Sequence, residues 1–324
     1  MKLKKEYLIL VLAIVVLGAY LVMRSKDQTH FELPEIADVE SQKINRVEIS
    51  KGADTIELKK IDDQWAIGPK AYPADGTKVK NMINAAAGLT ITALVSESGN
   101  YDRYDLTKDK KVNVRAYSGK DKLRDFDIGR QAPTHQHTFV KLVDNPKVYH
   151  AQGSMDATFD TTADDLRDKT VLSYPKEDIT TLTISKGEHS LTLTQKEVAP
   201  VNKEQEDDQA DEQPKAEEIQ WVDSNGATAV KADVDLLIGD FAKLQCNGYM
   251  EDNAAEALKN PLWTVTMNSD KGKHLLSVFA KENEESDEYP AISSGSEYAF
   301  NVRKSRIETF SKHIDKLLNP EADK

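Results

Sequence analysis

From residue 44 onward, apolar and polar positions alternate in a pattern that occurs twice. Residues 44–58 read INRVEISKGADTIEL and residues 179–193 read ITTLTISKGEHSLTL, and the two align without a gap. Val47 and Ile49, then Ile56 and Leu58, mark one face of two short strands; Leu182, Ile184, Leu191 and Leu193 do the same in the second stretch. Lys-Gly between the strands turns the chain, so each copy is expected to open with a β-hairpin. QWAI at 64–67 and QWV at 220–222 predict a third strand with a tryptophan covering the core. The period then changes. Val79, Met82, Ile83 and Leu89 in one copy, and Val234, Leu237, Ile238 and Leu244 in the other, fall on one face of a helix. Alternating strands follow at 112–117, 123–128, 138–143 and 148–150, and again at 263–267, 275–279, 291–293 and 297–302. The order β-β-β-α-β-β-β-β predicts an α+β fold, a mainly antiparallel sheet with one packed helix, made twice in tandem. Residues 305–318 complete the chain as a helix with Ile307, Phe310, Ile314 and Leu317 on one side.

The N-terminus has a different pattern. Residues 7–23, YLILVLAIVVLGAYLVM, carry no charge over 17 residues and lie between Lys2, Lys4 and Lys5 on one side and Arg24 and Lys26 on the other. A helix of that length spans about 25 Å, near the lower limit for crossing a bilayer. Bulky or charged residues occupy the places where a small-x-small cleavage site would stand, so an uncleaved signal anchor over 1–26 is expected. The basic start predicts residues 1–6 inside and the chain from Lys26 outside, that is, periplasmic or extracytoplasmic. The expected organisation is then anchor 1–26, linker 27–43, first repeat 44–153, connector 154–178, second repeat 179–319 and tail 320–324.

Composition refines this picture in two places. The chain has 324 residues, 30% of them charged, and a net charge of −12, which repels a phosphate backbone and argues against nucleic acid as a partner. Much of the excess acid falls in residues 198–218, VAPVNKEQEDDQADEQPKAEE, which have no apolar periodicity and are expected to form an exposed insertion in the second repeat. The single cysteine, Cys246, can make no intramolecular disulfide.

Candidate chemistry is sparse. Neither a G-x-S-x-G elbow nor a nucleotide-binding glycine loop occurs, so no catalytic or cofactor residue is assigned. His135 and His137 in THQHTF would project to the same side of an extended segment and could hold a metal edge-on, but no third ligand is identifiable. Asp160, Asp164 and Asp165 lack the glycine and glutamate of a calcium loop, so capping and turn formation account for them. Residues 101–111, YDRYDLTKDKK, combine tyrosine with dense charge and read as a loop or a contact surface. Trp65, Trp221 and Trp263 sit at strand positions and are expected in the core.

Four stretches carry a resemblance: the opening hairpin with Trp65, YDLTKDKKVNV, the DIG at 127–129 leading into TFVKLVDNPKVYH, and DLRDKTVLSY at 165–174. On these, the chain resembles a family of uncharacterised bacterial membrane-anchored proteins with a repeated domain, often encoded beside gliding-motility-type ABC transporter components. The resemblance covers most of 44–193 and implies an envelope accessory role beside ABC transporter subunits, with no catalytic residue to transfer. The expectation is therefore a non-catalytic scaffold or binding module, without metal or cofactor, whose oligomeric state the sequence leaves open. The alternative is an envelope enzyme, such as a metal-dependent hydrolase using His135 and His137.

Overall fold

The computed structural model describes residues 12–20, 33–198 and 218–320. It forms two compact units, Met1–Arg167 and Asp168–Lys324. In the first unit the elements run β1 (Arg46–Lys51), β2 (Asp54–Ile61), β3 (Gln64–Ile67), β4 (Tyr72–Pro73), α1 (Gly76–Ala87), β5 (Ile91–Ser96), β6 (Val112–Ser118), β7 (Asp121–Gln131), β8 (His137–Leu142), β9 (Val148–Gln152), α2 (Met155–Phe159) and α3 (Ala163–Leu166). They build a nine-stranded sheet of order β4-β3-β2-β1-β6-β7-β8-β9-β5. Every neighbouring pair in it is antiparallel.

Local chemistry sets the turns. Lys51 opposes Asp54, so Gly52 and Ala53 make a two-residue hairpin turn, and Gly52 supplies the positive φ of 60° that a II′ turn needs at its first position. Ile61 opposes Gln64, and the intervening Asp62 and Asp63 both adopt positive φ, 46° and 67°, the I′ pattern. Asp75 caps α1 by accepting from Thr77 N at 2.9 Å and Lys78 N at 3.1 Å. The helix carries the chain across one face of the sheet and delivers β5 to the edge opposite β4. Val79, Met82, Ile83 and Ala86 from α1 pack with Val47, Val114, Phe126 and Ile128 of the sheet, together with Met155 and Phe159 of α2 and Leu166 of α3. Burying each large side chain of this set contributes about 1.5–3 kcal/mol. Arg124, buried on the core face of β7, closes the far end of α1: its guanidinium donates to Ala86 O at 3.2 Å and Ala87 O at 3.0 Å, and also to Ala37 O at 2.7 Å. Two carbonyls left over at the helix end are thereby satisfied.

The second unit comprises β10 (Thr170–Ser173), β11 (Ile179–Lys186), β12 (His189–Val198), β13 (Glu218–Val222), β14 (Thr228–Ala229), α4 (Lys231–Phe241), β15 (Lys243–Gln245), β16 (Gly248–Tyr249), α5 (Ala254–Ala257), β17 (Trp263–Ser269), β18 (Gly272–Val278), β19 (Glu288–Ser293), β20 (Phe300–Arg303) and α6 (Lys304–Leu318). Its nine-stranded sheet has the order β14-β13-β12-β11-β17-β18-β19-β20-β16, which is the order of the first sheet under one-to-one replacement of strands. Gly187 turns the β11–β12 hairpin with a φ of 60°, as Gly52 does in the first unit. The core here is larger. Trp221, Trp263, Phe241 and Phe310 are all buried in it, with Phe241 and Phe310 edge-to-face at 4.7 Å.

The α+β expectation needs correction in three respects. No helix among the described residues is long and apolar enough to cross a membrane, which overturns the N-terminal transmembrane helix. Residues 12–20 are helical, and the rest of the expected span 7–23 lies outside the described residues. One packed helix is also too few, since α4 and α6 share the core of the second unit and α2 joins α1 in the first. Nor are there seven strands per sheet but nine: β4 and β14 are two residues long, β16 likewise, and β5 follows α1 directly, so none shows an alternating run of its own. The acidic insertion lies outside the described residues except at its ends, where Val198 pairs with Glu218.

Candidate functional site

The face of the first sheet that points away from α1 is polar, and the register dictates how. Strand alternation puts Arg46 and Glu48 of β1, Asn113, Arg115 and Tyr117 of β6, Asp125 and Asp127 of β7, and Phe139 and Lys141 of β8 on this side. Glu48 lies opposite both Glu57 and Arg115, and Arg115 lies opposite Asp125. The like-charged Glu48–Glu57 pair would be unfavourable alone. Arg46 offsets it by bonding Glu48 and standing 3.8 Å from Glu57, while Arg115 reaches Glu48 at 3.5 Å and Asp125 at 3.8 Å. Tyr117 adds a hydroxyl donated to Glu48 at 3.0 Å.

This ladder ends at Asp127, which is 0% exposed. Asn113 and Lys141 face it from the two neighbouring strands, and Lys111 reaches it from the loop before β6. Lys111 Nζ lies 2.9 Å from both carboxylate oxygens, Lys141 Nζ 2.9 Å from one, and Asn113 Nδ2 donates at 3.0 Å. Burial alone pushes the carboxyl up, but the hydrogen bonds from Lys111, Lys141 and Asn113 outweigh it and hold Asp127 below the usual carboxylate range. Its contribution to stability is thus present above the unfolded carboxylate value of about 3.9 and is lost as pH falls below it.

The same carboxylate fastens the loop 97–111 onto the sheet. Tyr104 and Leu106 of the loop form a small second core with Ala132, Phe139 and Val148, Tyr104 and Phe139 meeting at 4.9 Å. Asp105 turns the chain here with a φ of 54°, and Tyr101 donates its hydroxyl to Pro146 O at 2.9 Å. Arg130 Nε donates to Arg103 O at 3.1 Å. Gly129 is required by proximity, since a Cβ there would sit 2.1 Å from Tyr104 O. Asp102, Arg103, Lys108, Asp109 and Lys110 remain exposed on the loop's outer side. The corresponding face of the second unit carries hydroxyls instead, with Thr183 and Thr192 at 3.1 Å and Thr264 and Ser277 at 2.8 Å.

The histidines are rearranged relative to the sequence expectation. His135 is not on an extended segment: it sits in the turn before β8 with a φ of 57°, its Nδ1 2.9 Å from Gln131 Oε1. His137 opens β8, and its ring neighbours His150 of β9 at 5.4 Å, with 27° between the ring planes. His150 also lies 5.0 Å from the Phe139 ring. Burial, aided by His137, holds His150 below the usual histidine value. Thirteen positions separate the two in sequence, and only the β8–β9 register, in which Phe139 opposes His150, brings them together.

Asp160 ends α2 and pairs with Lys51 at 2.7 Å. Thr162, not an aspartate, caps α3 through Asp165 N, and Asp165 returns a carboxylate oxygen to the Thr162 hydroxyl at 2.7 Å. Trp221 and Trp263 are buried at 1% exposure, whereas Trp65 is half-buried against the first core.

A family model described as a domain of unknown function, DUF4340, matches residues 65–261, more than half of the chain. The chain belongs to the DUF4340 family. The DUF4340 match begins at the Trp65 strand and takes in the clamped loop, Asp127, Gly129 and the three histidines, then continues into the second unit. No curated protein and no solved structure matches the chain.

Proposed function

We propose that this DUF4340 chain is a non-catalytic accessory module of the cell envelope that works by docking to a complex of the ABC-transporter type. The observation that carries the reading is the loop 97–111, pinned by Asp127 beneath it and displaying Asp102, Arg103, Lys108 and Asp109 outward. A surface already fixed before contact loses less conformational entropy on binding. Exposed charges of both signs select a partner through electrostatic complementarity more than they add raw affinity. Two of the four stretches that carry the family resemblance, YDLTKDKKVNV and the DIG leading into TFVKLVDNPKVYH, meet on this one face, and the resemblance supplies the transporter context.

The test is affinity capture of the full chain from detergent-treated membranes of its source cell, followed by identification of the retained subunits. Transporter-type subunits should be retained by the unmodified chain and lost from the double variant Arg103→Glu, Lys108→Glu, with both proteins melting at the same temperature. Retention of the same subunits by the variant, or capture of none by either protein, overturns the reading.

A further inference from the structure

We propose that the groove between α4 and α6 of the second unit binds a single-chain anionic amphiphile, a long-chain carboxylate taken up as a monomer. The groove measures about 730 Å3, within the range of small-ligand sites, and Leu236, Leu262 and Ile307 line it with apolar surface. Leu236 is 53% exposed and Leu262 41% exposed, so the concavity keeps two large apolar side chains in water.

The first unit shows that the fold does not require this. Val79, Met82 and Ile83 of α1 correspond to Val234, Leu237 and Ile238 of α4, so Leu236 stands where α1 has Asn81. Leu262 precedes β17 as Lys111 precedes β6, and Lys111 is occupied with Asp127. At the start of α4 Val230 makes no capping bond, where Asp75 caps α1. Val230 is exposed as well, and it lines a smaller hollow of about 130 Å3 that meets the groove at the Asp233–Lys316 pair. One topology thus carries polar side chains at three positions in the first unit and exposed apolar ones at the same positions in the second.

The charged groups set the sign of the ligand. Asp233 pairs with Lys316 at 2.9 Å, Asp315 with Lys186 at 2.5 Å, and Glu308 faces Lys304 at 3.9 Å. His313 is held by Asp240 at 2.7 Å. Lys312 also lines the groove and makes no ion pair among the described residues; Tyr289 lines it too, and its hydroxyl makes no hydrogen bond among them. An ammonium and a phenol are two donors, and the head that uses both is an anionic acceptor with two oxygens, a carboxylate. A concave wall takes one chain lying along it, whereas docking on a bilayer calls for an apolar face that projects into the lipid.

Calorimetric titration of the full chain with dodecanoate, kept below its micelle concentration, tests the assignment. Dodecyltrimethylammonium and butanoate probe head and tail separately, and both should bind at least about tenfold more weakly than dodecanoate. Leu236→Asn, which installs the first unit's residue, should weaken dodecanoate at least about tenfold, because a leucine covered by the chain is worth that much. Lys312→Glu should reverse the preference between the two heads. Ile61→Asn, which alters an exposed apolar residue of the first unit, should stay within about twofold. Leu236 and Lys312 are both exposed, so melting temperatures should hold; should Leu236→Asn melt lower, the head preference of Lys312→Glu decides. Absence of uptake at millimolar dodecanoate, equal uptake of both heads by the unmodified chain, or an equal loss in Ile61→Asn overturns the proposal. So does binding to phosphatidylcholine vesicles without uptake of monomeric dodecanoate.

Discussion

At the scale of single residues, the outer face of the first sheet depends on close fits more than on reactive groups. Asp127 is a buried charge whose acceptor capacity is used by two lysines and an asparagine, so it fixes positions instead of offering a free carboxylate. Gly129, two residues on, lets the loop carbonyl of Tyr104 approach the strand. Gly129→Ala should therefore cost about 2–3 kcal/mol, because a Cβ at 2.1 Å from a backbone oxygen can be relieved only by moving the loop or the strand. Chemical denaturation of the variant checks this; a loss below about 0.5 kcal/mol would mean that the loop yields freely and is not clamped. The sequence displays the DIG string but not its meaning. Asn113 and Lys141 come to Asp127 through strand register, and a shift of one position would turn all three to the other face. For the same reason His150 escapes a reading that looks for histidines close in sequence.

At the scale of elements, what can be read from sequence is whatever local chemistry decides. Gly52 and Gly187 mark hairpins because a two-residue turn demands a left-handed residue, and Asp75-Gly76 marks the start of α1 because the aspartate can serve the first free amide groups. Where tertiary contacts decide, the sequence is silent. The strand β5 owes its place to pairing with β9, and its two register irregularities blur any alternation. The end of α1 is another case: nothing in AAAG announces that Arg124, 37 residues beyond Ala87, will close it. Arg124→Leu keeps the apolar stem but removes bonds to four carbonyls, two of them at the helix terminus. It should cost about 2 kcal/mol and increase amide exchange at residues 84–88 before it affects the hairpins. Equal loss of protection across the whole unit would show that the arginine supports the core generally and not the helix end.

At the scale of the whole molecule, identical strand order in the two units shows how one topology accommodates unequal sequences. The first unit closes its β2–β3 hairpin with the two residues Asp62 and Asp63 between Ile61 and Gln64. At the same place in the second unit, β12 and β13 pair from Thr194–Val222 through Val198–Glu218, and residues 199–217 connect them. Since the register is complete on both sides of the join, the sheet does not need the long connection to define its pairing. Replacing 199–217 by Asp-Gly, a two-residue I′ turn, should therefore preserve the second unit. It should also favour folding: loop closure costs about 0.6 kcal/mol per doubling of length, and the exchange removes roughly three doublings, for a gain of about 1–2 kcal/mol. Thermal and urea unfolding of the shortened chain measure this directly. A higher melting temperature would assign the acidic segment to a role outside folding. A loss of more than about 1 kcal/mol would instead mean that its carboxylates make contacts on which the sheet depends.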